Sequence, residues 1–403
     1  MQFDVVIIGL GPVGAALANL LGLFGLKALV LEREAEVYNL PRAVHFDDEV
    51  MRIFQAIGVA DEVARVSRIN PGMRFVDAEG TLLLDWPRPP GIGPNGWNSS
   101  YRFHQPDLEG ILRQTLDRFG HVETRLNTEC TAIDDRGSHV EVFCRDNQTG
   151  QTDKVTAGYV VGCDGARSFV RQAMQTGMDD LGFRERWLVV DVLLKRPRPD
   201  LGDHTVQFCD PARPSTYVRC PKDRRRWEIS LRDDEHAAQI STPQSVWRLL
   251  ARWLTPEDAD IERTAVYEFR SLVARDWRNG RLLLAGDAAH LTPPFMGQGM
   301  CAGIRDVSNL AWKLARCSKG LANESLLDTY ASERIPHVRQ YIETAIRLGG
   351  LINTSATQQA LEAALPQADG SARMASIAPP LGPGLHNAQD PRAGRLFAQP
   401  VLA

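Results

Sequence analysis

The sequence lacks the long apolar runs, the paired cysteines and the excess of positive charge that mark several classes of protein. No stretch of its 403 residues reaches about 18 consecutive apolar residues, so we expect no membrane-spanning helix. Its 7 cysteines are scattered and never spaced as CxxC, which indicates neither a disulfide framework nor a zinc site. The net charge of -4, from 46 Lys and Arg against 50 Asp and Glu, does not predict binding to nucleic acid or to an anionic membrane. The expected partner is therefore a small molecule.

The sequence also shows no export signal and no cluster of metal ligands. The apolar start, Phe3–Ile8, is too short for a secretory signal and has no basic residue before it. Unpaired cysteines fit a reducing compartment, so we expect a cytoplasmic protein. His and Asp residues are too dispersed along the chain to predict a metal site.

A strand, a glycine turn and a helix open the chain. Val5–Ile8 is a continuous apolar run typical of a parallel strand buried on both faces, and Pro12–Phe24 is rich in helix formers. Between them Gly9–Gly14 reads GxGxxG, and Glu32 follows a second apolar run, Ala28–Leu31. This arrangement would place a pyrophosphate at the helix amino terminus and a ribose hydroxyl at the carboxylate. We predict dinucleotide binding; the alternative is a glycine turn that only packs the helix on the strand.

The middle of the chain has a different pattern. Short β-rich runs at Trp187–Lys195, Thr205–Cys209, Thr216–Cys220 and Arg226–Leu231 are separated by Pro, Asp and Arg clusters. This predicts a mainly antiparallel sheet inserted into an α/β protein. The α/β pattern resumes at Arg281–Ala285, which reads as another short buried strand.

Two more glycine and aspartate clusters follow apolar strands. One lies within Tyr159–Arg171, and the other within Arg281–His290, shortly before the turn Pro293–Gly299. Together with GxGxxG, they resemble the class A flavoprotein aromatic hydroxylases, the group of p-hydroxybenzoate hydroxylase and phenol hydroxylase, over residues 1–345. Within that group, four segments look most like 3-(3-hydroxyphenyl)propionate hydroxylases: Pro41–Glu49, Trp187–Asp191, Cys209–Pro214 and Asp306–Leu314.

The resemblance implies a fold with two interleaved domains. A Rossmann-like FAD-binding domain would take residues 1–70, 101–180 and 271–350, and a substrate-binding β-sheet domain would take 71–100 and 181–270. Residues 351–403 would form a C-terminal helix and a Pro/Gly-rich tail. Many relatives continue into a thioredoxin-like domain, and this chain stops near where one would begin. Whether the protein forms a homodimer is left open.

The resemblance also implies which residues bind cofactors. The single GxGxxG would be taken by FAD, so NADH or NADPH would visit transiently as the reductant. The ADP half of FAD would be bound by Gly9, Gly11, Pro12, Val13, Gly14, Glu32 and Arg33. Arg42 would contact the pyrophosphate and flavin, Gln105 the ribityl chain, and Asp164 and Arg171 both FAD and the pyridine nucleotide. The ribityl chain and flavin ring would be bound by Gly286, Asp287, Pro294, Gly297, Gln298 and Gly299.

The chemistry of such enzymes directs attention to groups around the substrate. An electrophilic flavin C4a-hydroperoxide is attacked best by a phenolate, so a base near the phenol hydroxyl is expected. His45 and Asp47 are candidates because they share one face of an extended segment; alternatively, Asp47 caps the next helix and His45 is a packed histidine. Tyr217 and Arg219 could bind the hydroxyl and a carboxylate, the alternative being a plain sheet face. The Pro294 carbonyl would face the substrate by resemblance.

The predicted function is hydroxylation of a phenolic aromatic acid ortho to its hydroxyl, with O2 and NAD(P)H. The favoured substrates are 3-(3-hydroxyphenyl)propionate and 3-hydroxycinnamate. One alternative is a hydroxylase of a large polycyclic polyketide or antibiotic, and another is a catalytically inert FAD-binding regulatory protein. A halogenase is disfavoured because the sequence has no WxWxIP motif.

Overall fold

The structure, a computed structural model, describes residues 1–37, 42–353, 377–387 and 389–399. The strands found there are β1 (Phe3–Ile8), β2 (Ala28–Leu31), β3 (His45–Asp47), β4 (Arg68–Ile69), β5 (Gly72–Val76), β6 (Leu82–Pro87), β7 (Ser100–Arg102), β8 (Val122–Arg125), β9 (Thr128–Asp135), β10 (Val140–Asp146), β11 (Thr152–Gly162), β12 (Met178–Leu194), β13 (Thr205–Phe208), β14 (Ser215–Arg219), β15 (Arg224–Ser230), β16 (Ala259–Ala274), β17 (Arg278–Asn279), β18 (Leu282–Leu284) and β19 (His290–Leu291). The helices are α1 (Pro12–Leu23), α2 (Asp48–Ile57), α3 (Ala60–Val66), α4 (Gln105–Gln114), α5 (Phe169–Ala173), α6 (Ala237–Ile240), α7 (Pro243–Leu250), α8 (Gly299–Ser318) and α9 (Asp328–Asn353).

The first sheet is built around the amino-terminal strand. Its order is β17-β18-β11-β1-β2-β8, and the β9–β10 hairpin joins it through β10 and β11. β1 pairs in parallel with both β2 and β11, and β11 pairs in parallel with β18. Val5, Val6 and Ile7 are fully buried, as a strand covered on both faces requires. The predicted Rossmann-like α/β fold is confirmed.

The second sheet lies beside the first and has the order β19-β16-β12-β15-β14-β13-β5-β6. Its neighbouring strands run antiparallel, except that β13 runs parallel to β5. One face packs on α7 through Val246 and Leu250, which are fully buried. The expected inserted antiparallel sheet is thus present. The domain boundaries at 180 and 270 remain predictions, and both fall inside continuous strands, β12 and β16.

A three-stranded sheet, β3-β7-β4, contacts the second sheet through a hydrogen bond from Arg102 to the hydroxyl of Thr205. His45 pairs with Arg102 and Asp47 with Ser100 across β3 and β7. This small sheet holds the segment after residue 41 in place. Pro41, the first residue of the Pro41–Glu49 segment, lies outside the described residues.

Much of the predicted C-terminal segment, 354–376, 388 and 400–403, is also outside the described residues. The described part of the tail packs on α9, where Gly382 N donates to Glu333 O at 2.9 Å and Ser332 Oγ donates to Pro383 O at 2.6 Å. In the described ranges, no helix has the combined length and apolar character needed to cross a bilayer.

A fully buried carboxylate ties the two long carboxy-terminal helices to the sheets. Asp306 on α8 accepts hydrogen bonds from His290 Nε2 at 2.7 Å, Arg334 Nε at 2.9 Å and the backbone N of Gly286 at 3.1 Å. Burial by itself would raise the pKa of Asp306, but His290 and Arg334 lower it to about 2. The carboxylate is therefore ionised throughout the physiological range and holds the Gly286 turn against α8.

Replacing this carboxylate tests its contribution to stability. Asp306→Asn keeps the shape but leaves the buried Arg334 without its counter-ion, so the free energy of unfolding should fall by about 3–5 kcal/mol in urea titrations. The folded-state pKa lies below the usual 3.8, so the wild-type contribution is complete above that pH and is lost as pH falls towards about 2. The variant should lack this acid-dependent loss.

The matched control is Asp134→Asn, which removes an exposed carboxylate paired with Arg136 at 2.7 Å. Its free energy of unfolding should change by less than about 1 kcal/mol. Equal effects of the two substitutions would contradict the anchoring role of Asp306.

Candidate active site

The glycine turn between β1 and α1 forms a close-packed cradle. Gly9 has φ +100°, and a Cβ there would lie 2.5 Å from Cys163 O. A Cβ on Gly14 would lie 2.0 Å from Gly9 O, so glycine is required at both positions. In contrast, a Cβ on Gly11 would meet nothing within 4 Å, and no side chain caps the amino terminus of α1. The helix end is thus open towards an anion.

Glu32 lies directly after β2 and faces the same turn. Its Oε2 accepts from Leu10 N at 2.7 Å, and its Oε1 accepts from Glu34 N at 3.0 Å. These bonds orient the carboxylate beside the cradle. Arg33 points away into solvent, where it pairs with Glu34 at 3.2 Å.

The second glycine and aspartate cluster is held within the fold. Asp164 Oδ2 accepts from Phe169 N at 2.6 Å and from Val170 N at 3.1 Å. Arg171 donates to Ala288 O at 2.8 Å and to Ala166 O at 2.7 Å. Asp164 Oδ1 is buried and has no hydrogen-bond partner in the part of the chain that is described. It is an acceptor left over beside the cradle.

Arg42, Gln105 and Asp287 meet near the same cradle. Gln105 Oε1 accepts from the backbone N of Arg42 at 2.8 Å and of Ala43 at 2.9 Å. The Arg42 guanidinium lies 4.0 Å from the Asp287 carboxylate. A Cβ on Gly286, which has φ +62°, would lie 3.1 Å from Val13 Cγ2. The structure thus brings these sequence-predicted residues together from three distant segments.

The turn before α8 is open at its backbone. Gly297 has φ +61°, and a Cβ there would be 3.0 Å from the His45 ring. A Cβ on Gly299 would meet nothing within 4 Å, and Gln298 makes no side-chain cap bond. The amino-terminal N–H groups of this 20-residue helix therefore face a space suited to a partial negative charge.

A cavity of about 1140 Å³ opens beside this turn. Its walls include Pro294, Gly297 and Gln298 from the turn, and His45 and Asp47 from β3. Residues of or next to the second sheet, of β7 and of the turn before α8 also line it: Trp86, Arg88, Arg102, Trp187, Thr205, Gln207, Thr216, Val218, Glu228, Phe295 and Met296. The cavity extends to α8, α9 and the described tail, where Trp312, Tyr341 and Leu381 line it. A mixed apolar and polar lining of this size suits a small organic ligand.

Residues 2–345 match the family model described as FAD binding domain. The chain belongs to this FAD-binding family, in its class A aromatic hydroxylase group. The resemblance inferred from the three motifs is thereby confirmed.

Two curated relatives in the family are phenol hydroxylases by name. A "Probable NADH-specific resorcinol 4-hydroxylase" of Rhodococcus jostii (strain RHA1) is 44% identical over 349 residues, covering 86% of this chain and 65% of that protein. A "3-(3-hydroxy-phenyl)propionate/3-hydroxycinnamic acid hydroxylase" of Mycobacterium avium (strain 104) is 39% identical over 362 residues, covering 87% of this chain and 61% of that protein. The chain thus spans less than two thirds of the length of either relative.

Solved structures show the same fold. The p-nitrophenol 4-monooxygenase of Pseudomonas putida DLL-E4 has a TM-score of 0.81 at 24% identity, covering 89% of this chain and 91% of that one. Aklavinone-11 hydroxylase, solved with FAD and aklavinone, has a TM-score of 0.78 at 26% identity, covering 88% and 70%.

The residues present fit the cofactor of the FAD-binding family. The open helix ends at Gly11 and Gly299 can receive a pyrophosphate and an electron-rich ring edge, respectively. Glu32, Arg42 and Asp287 offer a carboxylate, a cation and a second carboxylate between them. This is the donor and acceptor set that an adenine dinucleotide with a ribityl chain requires.

His45 is uncharged at neutral pH and is held at both ring nitrogens. Its Nε2 lies 2.9 Å from Ser100 Oγ, which also accepts from Asn70 Nδ2 at 2.9 Å. The Ser100 hydroxyl therefore donates to Nε2, and the Nδ1 proton faces Gly297 O at 3.3 Å. Burial, with Arg102 nearby, lowers the pKa of His45 to about 3.

Asp47 is committed to structural contacts. Its Oδ1 caps α2 by accepting from Val50 N at 3.2 Å, which is the capping alternative considered from sequence. Its Oδ2 accepts from Arg305 Nη2 at 2.6 Å and from Gln298 Nε2 at 3.2 Å. Burial opposes ionisation, but Arg305 and His45 bring the pKa of Asp47 below its usual value. The geometry favours a positioning group over a proton acceptor.

Tyr217 and Arg219 require a correction, because the structure does not bring them to the cavity. Tyr217 is 2% exposed, packs on Trp227 with ring centroids 5.1 Å apart, and donates to Gly202 O at 3.3 Å. Arg219 donates to Lys222 O at 2.6 Å outside the cavity. Alternate residues of a strand face opposite sides, and the cavity side of β14 carries Thr216 and Val218.

Sequence reasoning missed Arg102, Glu228 and Arg305, all of which line the cavity. Arg102 stands in the segment that contains Gln105, so a signal was present in that motif. For the other two residues, only the tertiary structure shows which way the side chain faces.

The cradle glycines predict separate effects on folding and on FAD binding. Gly14→Ala should lower the free energy of unfolding by about 1–3 kcal/mol, because its methyl collides with Gly9 O. Gly11→Ala should leave apoprotein stability near wild type and weaken FAD binding, since its methyl enters the open space before α1. Urea unfolding and fluorescence titration with FAD measure the two effects. The control is Gly110→Ala in α4, where an added Cβ also meets nothing within 4 Å. It should lower neither the free energy of unfolding nor the affinity for FAD.

The contacts of Asp47 predict a loss of stability on removing its charge. Asp47→Asn can still cap α2 but loses the ion pair with Arg305, which keeps only Glu49. We expect a decrease of about 1–3 kcal/mol in the free energy of unfolding. The control is Asp48→Asn, whose carboxylate accepts from Asn95 at 3.0 Å and forms no ion pair with an arginine of the described residues. An unchanged free energy of unfolding in Asp47→Asn would contradict the anchoring role of Asp47.

Proposed function

We propose that this chain carries an FAD-dependent monooxygenase activity that hydroxylates a phenolic aromatic acid ortho to its hydroxyl, with O2 and NADH or NADPH. The observation that carries the proposal is that Pro294, Gly297 and Gln298 line the same cavity as the second sheet. A turn suited to flavin and a space suited to an aromatic ligand therefore share one wall. The names of the two relatives, a resorcinol hydroxylase and a phenolic acid hydroxylase, support a phenol as substrate.

Each part of the chain has a distinct task in this proposal. FAD, when bound, supplies the redox chemistry that connects NAD(P)H, O2 and the aromatic ring. Gly9, Gly11 and Gly14 admit its pyrophosphate, while Arg42 and Asp287 hold the middle of the cofactor. We propose that the remaining residues implied for FAD by the resemblance contact the cofactor as well.

The aromatic side of the cavity excludes water. Trp187 and Phe295 meet edge to face with ring centroids 5.8 Å apart, and Phe183 packs on Phe295 at 5.5 Å. A dry wall next to the flavin turn would limit side reactions between the bound cofactor and water, and it strengthens nearby hydrogen bonds.

We propose that His45, whose two ring nitrogens already bond Ser100 Oγ and Gly297 O, shapes the wall beside the phenol ring, and that Asp47 positions the flavin turn. His45 lies between the flavin turn and the cavity, and its ring packs against Gly297. Asp47 fixes Gln298 of the same turn through a 3.2 Å hydrogen bond. A carboxylate with a lowered pKa is a weak base for a phenol, which supports this division.

A larger polycyclic phenol is a second candidate substrate. It is favoured by the fold shared with aklavinone-11 hydroxylase, which is solved with FAD and aklavinone.

The proposed function predicts substrate-stimulated NADH oxidation in air by the FAD-loaded protein. Resorcinol, 3-(3-hydroxyphenyl)propionate and 3-hydroxycinnamate are tested in parallel, with the product mass measured beside the rate. We expect strong stimulation by a phenolic acid and a product heavier by one oxygen atom. NADPH in place of NADH identifies the preferred reductant.

Stimulation that yields only hydrogen peroxide from every compound would count against these substrates and favour the polycyclic candidate. Bound FAD with no NADH oxidation under any of these conditions, polycyclic phenols included, would contradict the monooxygenase proposal and favour an inert FAD-binding protein.

A further inference from the structure

A buried arginine faces the cavity without a carboxylate partner. Arg102 is 7% exposed and lies at the end of β7, directly opposite His45 on β3. Its Nη2 donates to the hydroxyl of Thr205 on the second sheet. Its Nε is buried and has no hydrogen-bond partner among the described residues. The guanidinium thus reaches the cavity with N–H donors that can still bind an acceptor.

The positive charge of Arg102 has no close counter-ion among the described residues, although Glu228 stabilises it and Arg88 opposes it at longer range. Burial lowers the pKa of Arg102 to about 10, so the guanidinium stays charged at neutral pH. No carboxylate in the described ranges lies within 4 Å of it, and Glu228 on the same wall lies 3.8 Å from Arg226 instead. Burial raises the pKa of the neighbouring Cys220 thiol to about 11, so that thiol carries no charge either.

Two other buried arginines near the cavity are paired with carboxylates, and buried Arg225 donates instead to the backbone carbonyls of Lys222 and Arg224. Arg226 contacts Asp191 at 2.7 Å, and Arg305 contacts both Asp47 and Glu49. An isolated buried charge costs several kcal/mol, so proteins rarely retain one without a partner. The missing partner of Arg102 is therefore expected to come from a ligand in the cavity.

A second cation strengthens the positive potential at this end. Arg88 lines the same cavity, and its guanidinium lies 4.3 Å from the centre of the Trp86 ring. Asp47 and Asp48 stabilise the charge of Arg88 at longer range, but no carboxylate of the described residues lies within 4 Å of it. An aromatic ring beside two cations is a suitable environment for an aromatic anion.

We propose that Arg102 binds the carboxylate of the substrate and thereby selects a phenolic acid over a neutral phenol. The inference rests on the proposed function and narrows its substrate class. Arg102 and His45 are directly paired across two strands, so a carboxylate at Arg102 leaves the aromatic ring beside His45 and Gly297. A neutral diphenol such as resorcinol would leave the guanidinium without its counter-ion.

The test compares an acid with its uncharged equivalent on the FAD-loaded enzyme. Calorimetric titrations without reductant give the dissociation constants of 3-(3-hydroxyphenyl)propionate and of its primary amide. The wild-type enzyme should bind the acid at least about 10-fold more tightly. Arg102→Met should weaken acid binding about 10- to 100-fold and change amide binding less than about 3-fold, whereas Arg102→Lys should retain part of the preference for the acid.

Arg74→Met is the matched control, because Arg74 is a half-exposed arginine on β5 paired with Asp85 at 3.4 Å outside the cavity. It should leave both dissociation constants unchanged. FAD content and thermal unfolding are measured for every variant. If Arg102→Met fails to fold, the ratio of the dissociation constants for acid and amide, measured for the wild type and Arg102→Lys, still tests the role of Arg102.

Equal binding of acid and amide by the wild type, or equal losses for both in Arg102→Met, would overturn the inference. Turnover is scored separately from the product mass. Hydroxylation of resorcinol without acid binding would leave the proposed monooxygenase in place and refute only the role of Arg102. Acid binding through Arg102 without hydroxylation of any phenol would refute the monooxygenase instead.

Discussion

A charge buried in a protein is stable only when an opposite charge or hydrogen bonds compensate it. Helix α8 buries two adjacent charged residues, Arg305 and Asp306. Asp306 pairs with His290 and Arg334 and accepts from Gly286 N, while Arg305 pairs with Asp47 and Glu49. Neither set of contacts can form unless α8 lies at one position relative to both sheets. The helix amino terminus, and with it the turn at Gly297, is placed by this requirement.

A second buried network joins the inserted sheet to the cofactor side. Asp191 on β12 pairs with Arg226 at 2.7 Å and with Arg263 at 2.8 Å, and Arg226 also donates to the backbone O of Arg42 at 2.8 Å. The sheet that lines the cavity is thereby tied to the segment that carries Arg42. Cofactor side and ligand side are held in one rigid relation, which reactions between two bound molecules require.

The charge of the cavity depends on which charged side chains are not paired in these two buried networks. Asp47 and Arg305 neutralise one another, so they shape the turn and contribute little net charge to the ligand. Arg102 has no carboxylate within 4 Å among the described residues and adds a positive charge to a cavity wall that also carries Glu228. Trp187 and Phe295 keep the opposite wall apolar. A molecule with an anionic end and a phenolic ring matches that distribution of charge.

Local patterns determined much of the protein. The apolar run before GxGxxG predicted a buried parallel strand and an open helix end, because these depend only on neighbouring residues, and the family followed from three motifs in order. The face of a strand is different, since a shift of one residue reverses it: Tyr217 and Arg219 point away from the cavity, and Thr216 and Val218 point into it. Likewise, Asp47 became an anchor only because Arg305, far along the chain, meets it across the fold. Which buried charges are paired, and which one is left for a ligand, is decided by tertiary contacts between distant segments.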